Sequence, residues 1–220
     1  MRADIHIHSV YSGDCKLDVA DIIERCRTLE FGAMAVVDHN SFAGSVEALA
    51  LNPKDIIVLP GMEITTNAGH VLAYNVTEAV EKGLSVEETI DRIHGLAGIA
   101  VAPHPYRIWS GLGKNEVVKG KFEAIEVVNA RSMGGSNDKA HALAGILNLP
   151  ETGGSDAHSS EHIGRAFTAF PDSCRSADDL VKSILKKDTT AEGSSRTGLG
   201  SIGYGLKCTS EWAGRGFRRL

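Results

Sequence analysis

The chain has 220 residues, 42% of them hydrophobic and 23% charged, at a formal net charge of −5. This size supports one large domain, and the balance excludes a chain that is disordered, fibrous or membrane-embedded as a whole. The charge is uneven: residues 193–220 carry five basic groups against one acid, a surplus of 4 that leaves −9 on residues 1–192, so the body is a poor surface for long duplex nucleic acid.

Apolar runs of strand length alternate with amphipathic runs of helical length, the pattern of successive βα units in a parallel sheet or barrel. In chain order the strands are expected at 3–7, 33–37, 56–59, 71–74, 99–102, 124–128, 151–153 and 166–170. Asp18 opens a helix whose apolar face is Val19, Ile22, Ile23, Cys26 and Leu29. Ser85 with Glu88 forms a capping box for a helix to Leu96, residues 137–147 form another ended before Pro150, and Ser176 with Asp179 opens one through Leu185. Residues 1–192 are expected to form the domain. Residues 193–220 are rich in glycine and base, an arm either flexible or packed on the body through Trp212 and Phe217. No run reaches 18 apolar residues, and Met1-Arg2-Ala3-Asp4 leads into a histidine pair with no apolar leader, so a cytoplasmic protein with no membrane partner is expected. Cys15, Cys26, Cys174 and Cys208 lie far apart without a Cys-x-x-Cys, and reduced thiols are expected.

The nine histidines are the feature that stands out. In Asp4-Ile5-His6-Ile7-His8 a period of two predicts Asp4, His6 and His8 on one strand face, with Ile5 and Ile7 on the other against helices. Other expected strand ends also finish in ligand types: Asp38-His39, Gly61-Met62-Glu63, Pro103-His104-Pro105 and Ser155-Asp156-Ala157-His158, while Gly69-His70 precedes a strand. Carboxylates and imidazoles without thiolates suit zinc, manganese or iron. His94 and His141 fall in mid-helix and are read as ordinary helical histidines; His162 is a weaker candidate for protonating a leaving group.

The series His6-x-His8, Ser12-Gly13-Asp14, Asp38-His39, Gly61-x-Glu63, Gly69-His70, Pro103-His104-Pro105 and Gly154-Ser155-Asp156-x-His158 resembles the PHP (polymerase and histidinol phosphatase) superfamily over about residues 3–170. The resemblance implies a distorted seven-stranded β/α barrel of TIM-like form, holding two or three divalent metals (zinc, manganese or iron) and hydrolysing phosphoesters with a metal-bridging hydroxide. Eight strand-like segments are one too many, so 71–74 is expected to be irregular or outside the barrel. Carried over to this chain, the first metal takes His6, His8, Glu63 and Asp156; the second takes Glu63, His70 and His104; the third takes Asp14, His39 and His158. Glu63 then bridges two metals, and Glu63, Asp156 and His158 form the catalytic set.

Arginines suit phosphate through their planar fork. Arg107 follows His104, Arg131 follows the strand at 124–128, and Arg165 follows the Asp156/His158 loop, so all three are candidate substrate contacts. The register of Glu126 is open from the strand pattern alone, and the resemblance implies Glu126 and Asn129 behind the ligands; Asp4 is expected to accept the second N–H of a ligand histidine. The leading reading is a metal-dependent phosphoesterase acting on a small phosphorylated metabolite or nucleotide. The alternatives are a histidinol-phosphatase-like monoesterase, an exonuclease or phosphodiesterase on oligonucleotide ends, an amidohydrolase, and a non-catalytic metal-binding module. Oligomeric state is left open.

Overall fold

The structure, a computed structural model, describes residues 1–195; the arm from 196 onward, with Trp212 and Phe217, lies outside the described residues. In chain order the strands are β1 (Arg2–Ile7), β2 (Ala33–Val36), β3 (Ile57–Val58), β4 (Gly61–Thr65), β5 (His70–Tyr74), β6 (Ile99–Ala102), β7 (Ala124–Asn129), β8 (Glu151–Gly154), β9 (Ala166–Ala169) and β10 (Thr190–Gly193). The helices are α1 (Val19–Thr28), α2 (Ala43–Leu51), α3 (Val86–Gly95), α4 (Gly113–Lys119), α5 (Ser136–Leu147) and α6 (Ala177–Leu185). None of these helices is long and apolar enough to cross a membrane.

The fold is mixed α/β, but backbone pairing among the described residues gives two five-stranded sheets, β10-β9-β1-β2-β3 and β4-β5-β6-β7-β8, and no closed seven-stranded barrel. Nor is the pairing all parallel. β4–β5 and β5–β6 are antiparallel, as are β1–β9 and β9–β10. The cause lies in connection length: only residues 66–69 join β4 to β5, far too few for the crossover that parallel neighbours need. The segment expected to be irregular, 71–74, is instead a fully buried strand in the interior of its sheet.

Pro60 explains the break between the sheets. The sequence predicts one strand at 56–59 with Glu63 at its exit, yet β3 stops at Val58 and Glu63 lies inside a second strand, β4, which starts at Gly61 in the other sheet. A proline offers no N–H to a ladder. Isolated bridges Ile7↔Ala157 and His39↔Glu63 stitch the sheets together beside the histidines. At β8–β9 the Thr168 hydroxyl takes the place of a backbone rung, accepting from Gly153 N–H at 2.9 Å and donating to Gly153 O at 2.8 Å.

One core lies between the sheets, where Ala3, Ile5, Val37, Leu72, Tyr74 and Val101 pack under α6. The outer face of β4–β7 is covered by α3 and α5, and that of β1–β2 by α1. The period-two reading of β1 fails in one respect. The register with β2 shifts between Asp4 and Ile7, so Ile5 enters the inter-sheet core while Ile7 packs on the α1 side. Helix starts follow local chemistry: the Ser85–Glu88 capping box forms, and Ser176 caps α6 through Asp179 N–H, whereas Asp18 occupies the N-cap of α1 without a side-chain bond.

Candidate metal centre

The site forms where the end of β1 meets the loops after β2, β6 and β8. The backbone fixes that meeting: Asp156 N–H donates to His6 O at 2.7 Å and His8 N–H to Ala157 O at 3.0 Å. Gly154 sits so close to His6 that a Cβ there would collide with the His6 Cβ and crowd Glu126, and only glycine permits the approach. His104 and Asp156 hold φ of 29° and 52°, sparsely populated for residues with a side chain and the kind of strain that collects at functional sites.

Glu63 lies at the centre, its side chain 1% exposed. Its Oε1 is 2.9 Å from His70 Nδ1 and 3.0 Å from His104 Nε2. Its Oε2 is 2.9 Å from His39 Nδ1, 3.4 Å from His8 Nε2 and 3.7 Å from His6 Nε2. Asp156 Oδ1 stands 3.4 Å from His8 Nε2, and Oδ2 4.0 Å from His104 Nε2. At the rim, Asp14 Oδ2 is 3.1 Å from His158 Nε2 and 3.9 Å from His39 Nε2. All nine expected ligands thus converge, although neighbours mix across the expected groups. Sets of donors within 4.8 Å of one another are His6/His8/Glu63, His39/Glu63/His70, His6/His104/Asp156 and His8/His39/His158.

These residues fit divalent cations by a test internal to the molecule. Eight buried side-chain polar atoms of the described residues lack a hydrogen-bond partner, and six belong to this cluster: His6 Nε2, His8 Nε2, Asp14 Oδ1, His39 Nδ1, Glu63 Oε2 and His104 Nδ1. Folded proteins satisfy nearly all such atoms, and this concentration of orphans in one cluster fits a set of cation ligands. Nitrogen and oxygen donors without sulfur match zinc, manganese or iron.

Protonation states agree. Burial alone would raise Glu63 and Asp156, but His70 and His39 hold the first, and Arg107 and Arg131 the second, well below the ordinary carboxylate range. Burial, with His158 and His39 beside it, holds His8 far below the usual imidazole value, and burial with Arg107 brings His104 down to about 4. Neutral imidazoles are the ligand form. Burial also works against a charge on His6 and His39, yet Glu126 and Asp156 raise the first and Glu63 the second, an excess of negative potential that a cation would relieve.

Behind the ligands, Glu126 Oε1 meets His6 Nδ1 at 2.7 Å, and its Oε2 accepts the N–H of His104 at 3.0 Å and Asn129 Nδ2 at 2.9 Å. Asn129 also donates to Asp156 Oδ2 at 3.2 Å. Arg107 donates to Asp156 Oδ2 at 2.7 Å and Asn129 Oδ1 at 3.1 Å; Arg131 donates to Asp156 Oδ1 at 3.1 Å and reaches His158 Nδ1 at 2.7 Å. Arg165 differs: it is exposed, and its charge is felt by Glu161. Asp4 departs from its expected role, because its oxygens accept backbone N–H groups of His6 (3.3 Å), Ser155 (3.0 Å) and Gly164 (2.8 Å) and no imidazole; burial pushes its pKa up to about 6. His94 and His141 pair with Glu123 and Glu151, each at 2.9 Å, and His162 Nδ1 sits 2.8 Å from Ser159 Oγ.

Sequence reasoning missed Ser9, Ser12 and the part played by Asp38. Asp38 Oδ1 and Oδ2 accept the Ser9 N–H and O–H, both at 2.6 Å. Ser12 Oγ lies 2.8 Å from His8 Nδ1 and accepts the His39 N–H at 2.9 Å. The only local signal was a serine four residues after a ligand histidine.

A family model described as PHP-associated matches residues 134–189. An uncharacterised protein of Methanocaldococcus jannaschii is 36% identical over 163 residues, covering 69% of this chain and 95% of the relative. Among solved structures, a two-domain protein from Bacteroides vulgatus, described as containing a predicted PHP-like metal-dependent phosphoesterase, superposes with a TM-score of 0.74 at 18% identity over 88% of this chain. This chain spans 64% of that protein's length. The lesion-specific endonuclease Q of Pyrococcus furiosus gives a TM-score of 0.67 at 19% identity, covering 84% of this chain and 56% of the endonuclease. The chain belongs to the PHP superfamily.

Proposed function

We propose that the protein is a metal-dependent hydrolase of phosphoesters whose substrate is a small phosphorylated metabolite or nucleotide. The observation that carries this reading is the buried cluster of unpartnered imidazole and carboxylate atoms around Glu63, with two guanidinium groups on its Asp156 side. His6, His8, Glu63 and Asp156 would hold one ion, Glu63, His70 and His104 a second, and Asp14, His39 and His158 a third. Bound there, such ions supply Lewis acidity toward phosphoryl oxygens and bring the pKa of water toward neutrality.

The remaining work falls to the chain itself. Glu126 and Asn129 fix the orientation of His6, His104 and Asp156. Arg107 and Arg131, 17% and 14% exposed at their side chains, lie against Asp156 and would share their planar donors with the non-bridging oxygens of a phosphoryl group. Cys15, Cys26 and Cys174 are buried free thiols, in keeping with a reducing, cytoplasmic setting and unsuited to attack on substrate.

The test is elemental analysis of the purified protein, then a screen of phosphomonoesters, dinucleotides, bis-phosphorylated nucleotides, single-stranded and duplex oligonucleotide ends and amides. Two or three ions per chain, and phosphoester hydrolysis lost with chelator and restored by zinc, manganese or iron, are expected. Hydrolysis of amides alone would replace this reading with the amidohydrolase one, and preferential turnover of duplex ends would replace the small substrate with a polymer.

A further inference from the structure

His39 follows β2, whereas Glu63 and His70 lie on β4 and β5, yet one donor atom from each falls within 4.8 Å of the other two. Glu63 and His70 share a hairpin. His39 joins them through the isolated parallel bridge His39↔Glu63, in which Glu63 N–H donates to Asp38 O at 3.2 Å and Asn40 N–H to Glu63 O at 2.7 Å. One bridge between segments that then diverge leaves the angle between them open.

In a parallel ladder the next rung would run from Thr65 N–H to the main-chain carbonyl of residue 40. Here Thr65 N–H goes elsewhere. Asn40 turns into the left-handed region at φ 55°, which asparagine tolerates better than most residues, and the chain leaves for α2. Its side chain takes the place of the carbonyl: Oδ1 accepts Thr65 N–H at 2.8 Å, and Nδ2 donates to Thr65 Oγ1 at 3.0 Å. A backbone N–H can only donate, so the amide atom facing it must be the oxygen. Thr65 is buried and stands directly opposite His70 in the β4–β5 register. Asn40 thus holds the main chain of Glu63 through its own N–H, the residue opposite His70 through its side chain, and His39 as its neighbour in sequence.

We propose that Asn40 is a positioning residue: its amide extends the ladder by one rung and so registers His39, Glu63 and His70, which come from three segments, as one set of donors. His39 Nδ1 and His70 Nδ1 each lie 2.9 Å from an oxygen of Glu63, and the two imidazole rings stand 5.0 Å apart between centroids. Without the clasp, the loop that carries His39 keeps only the bridge at Glu63, and its ring can swing away from His70.

The experiment compares the metal-free parent with Asn40→Gly, which keeps the backbone freedom and loses both side-chain bonds. Proton NMR of the parent should show a nuclear Overhauser contact between the His39 and His70 rings, and slow hydrogen exchange at the Thr65 amide. In Asn40→Gly the ring contact should vanish and the Thr65 amide should exchange freely. Zinc affinity by competition with a chelating dye should fall at least tenfold, within the range of about 10–100-fold typical for loss of an outer partner. Asn40→Asp, which still offers acceptors to the N–H and O–H of Thr65, should keep the ring contact. Ser176→Ala, which loses the cap of α6, should lower stability and leave both the contact and the affinity at parental values. A folded Asn40→Gly protein that keeps either the ring contact or the parental zinc affinity overturns the assignment, as does a parent without the contact. Should Asn40→Gly not fold, Thr65→Val decides: it gives up half of the clasp, and an unweakened ring contact there overturns the role. The affinity arm rests on the metal reading above: a parent that bound no divalent ion would defeat that reading, while the ring contact would still judge Asn40.

Discussion

The two ends of the cluster are built differently. At the inner end, the side chains of His6, Glu63, His104 and Asp156 are at most 1% exposed, Glu126 and Asn129 brace them, and Arg107 and Arg131 pair with Asp156. At the outer end, Asp14, His39 and His158 are 18%, 8% and 13% exposed, and His158 lies between Asp14 at 3.1 Å and Arg131 at 2.7 Å. The inner donors are preorganised, so an ion entering there costs little rearrangement, while the outer donors face water and depend on one another. Were ions to bind as proposed, the inner pair would be held tightly and the outer ion would exchange more readily.

Replacing the shared carboxylate tests this contrast most severely. Glu63→Ala should empty both inner positions and lower kcat/KM by roughly a thousandfold or more, about 4 kcal/mol of transition-state stabilisation. Metal content by elemental analysis and steady-state kinetics read the result; full metal content at the parental rate would show that Glu63 bridges nothing.

A smaller effect separates the two ends. Glu126→Ala leaves every ligand in place but removes the acceptor on His6 Nδ1 and on the His104 backbone, and inner-site affinity should drop about 10–100-fold. Asp14→Ala should release one ion and leave two. If Asp14→Ala stripped the inner ions as readily as the outer one, the division into a rigid and a yielding end would be mistaken.

Arg107→Lys keeps the charge beside Asp156 and loses the planar fork, so kcat/KM should fall about tenfold, near 1.4 kcal/mol, with metal content unchanged. An increase in KM alone would mark Arg107 as a ground-state contact; a fall in kcat would mark one that strengthens in the transition state. Parental rates for both Arg107→Lys and Arg131→Lys on every phosphoester would remove these residues from substrate binding.

The smallest contrast is in stability. Gly154 has no room for a Cβ between His6 and Glu126, whereas Gly13, beside Asp14, has open space but a φ of 75°. Gly154→Ala should therefore cost about 1–3 kcal/mol through overpacking, and Gly13→Ala about 1–2 kcal/mol through backbone strain alone. Chemical denaturation should show inner-site metal loss only in Gly154→Ala.

Much of the site was legible because its ligands sit in short local patterns. His6-x-His8, Pro103-His104-Pro105 and Asp156-x-His158 each announce themselves within five residues, and the order of the full set resembles one superfamily. The Ser85–Glu88 capping box and the amphipathic helices were legible for the same reason, since their causes lie within one turn of chain. Arg165 shows the limit of this logic: it follows a ligand loop as Arg107 and Arg131 do, yet its side chain is exposed to solvent.

By itself, then, the sequence determined the residue types, their spacing and the strand-length runs that carry them. Tertiary structure decided the rest, because each depended on partners remote in the chain. Glu126 reaches His6 across 120 residues, and Ser12 accepts the His39 N–H from 27 residues away. The division into two sheets was likewise undecided by local propensity. Pro60 breaks the strand and the four-residue turn at 66–69 makes β4–β5 antiparallel, but which faces meet across the core, Leu72 and Tyr74 with Ile5 and Val37, depends on residues remote in the chain.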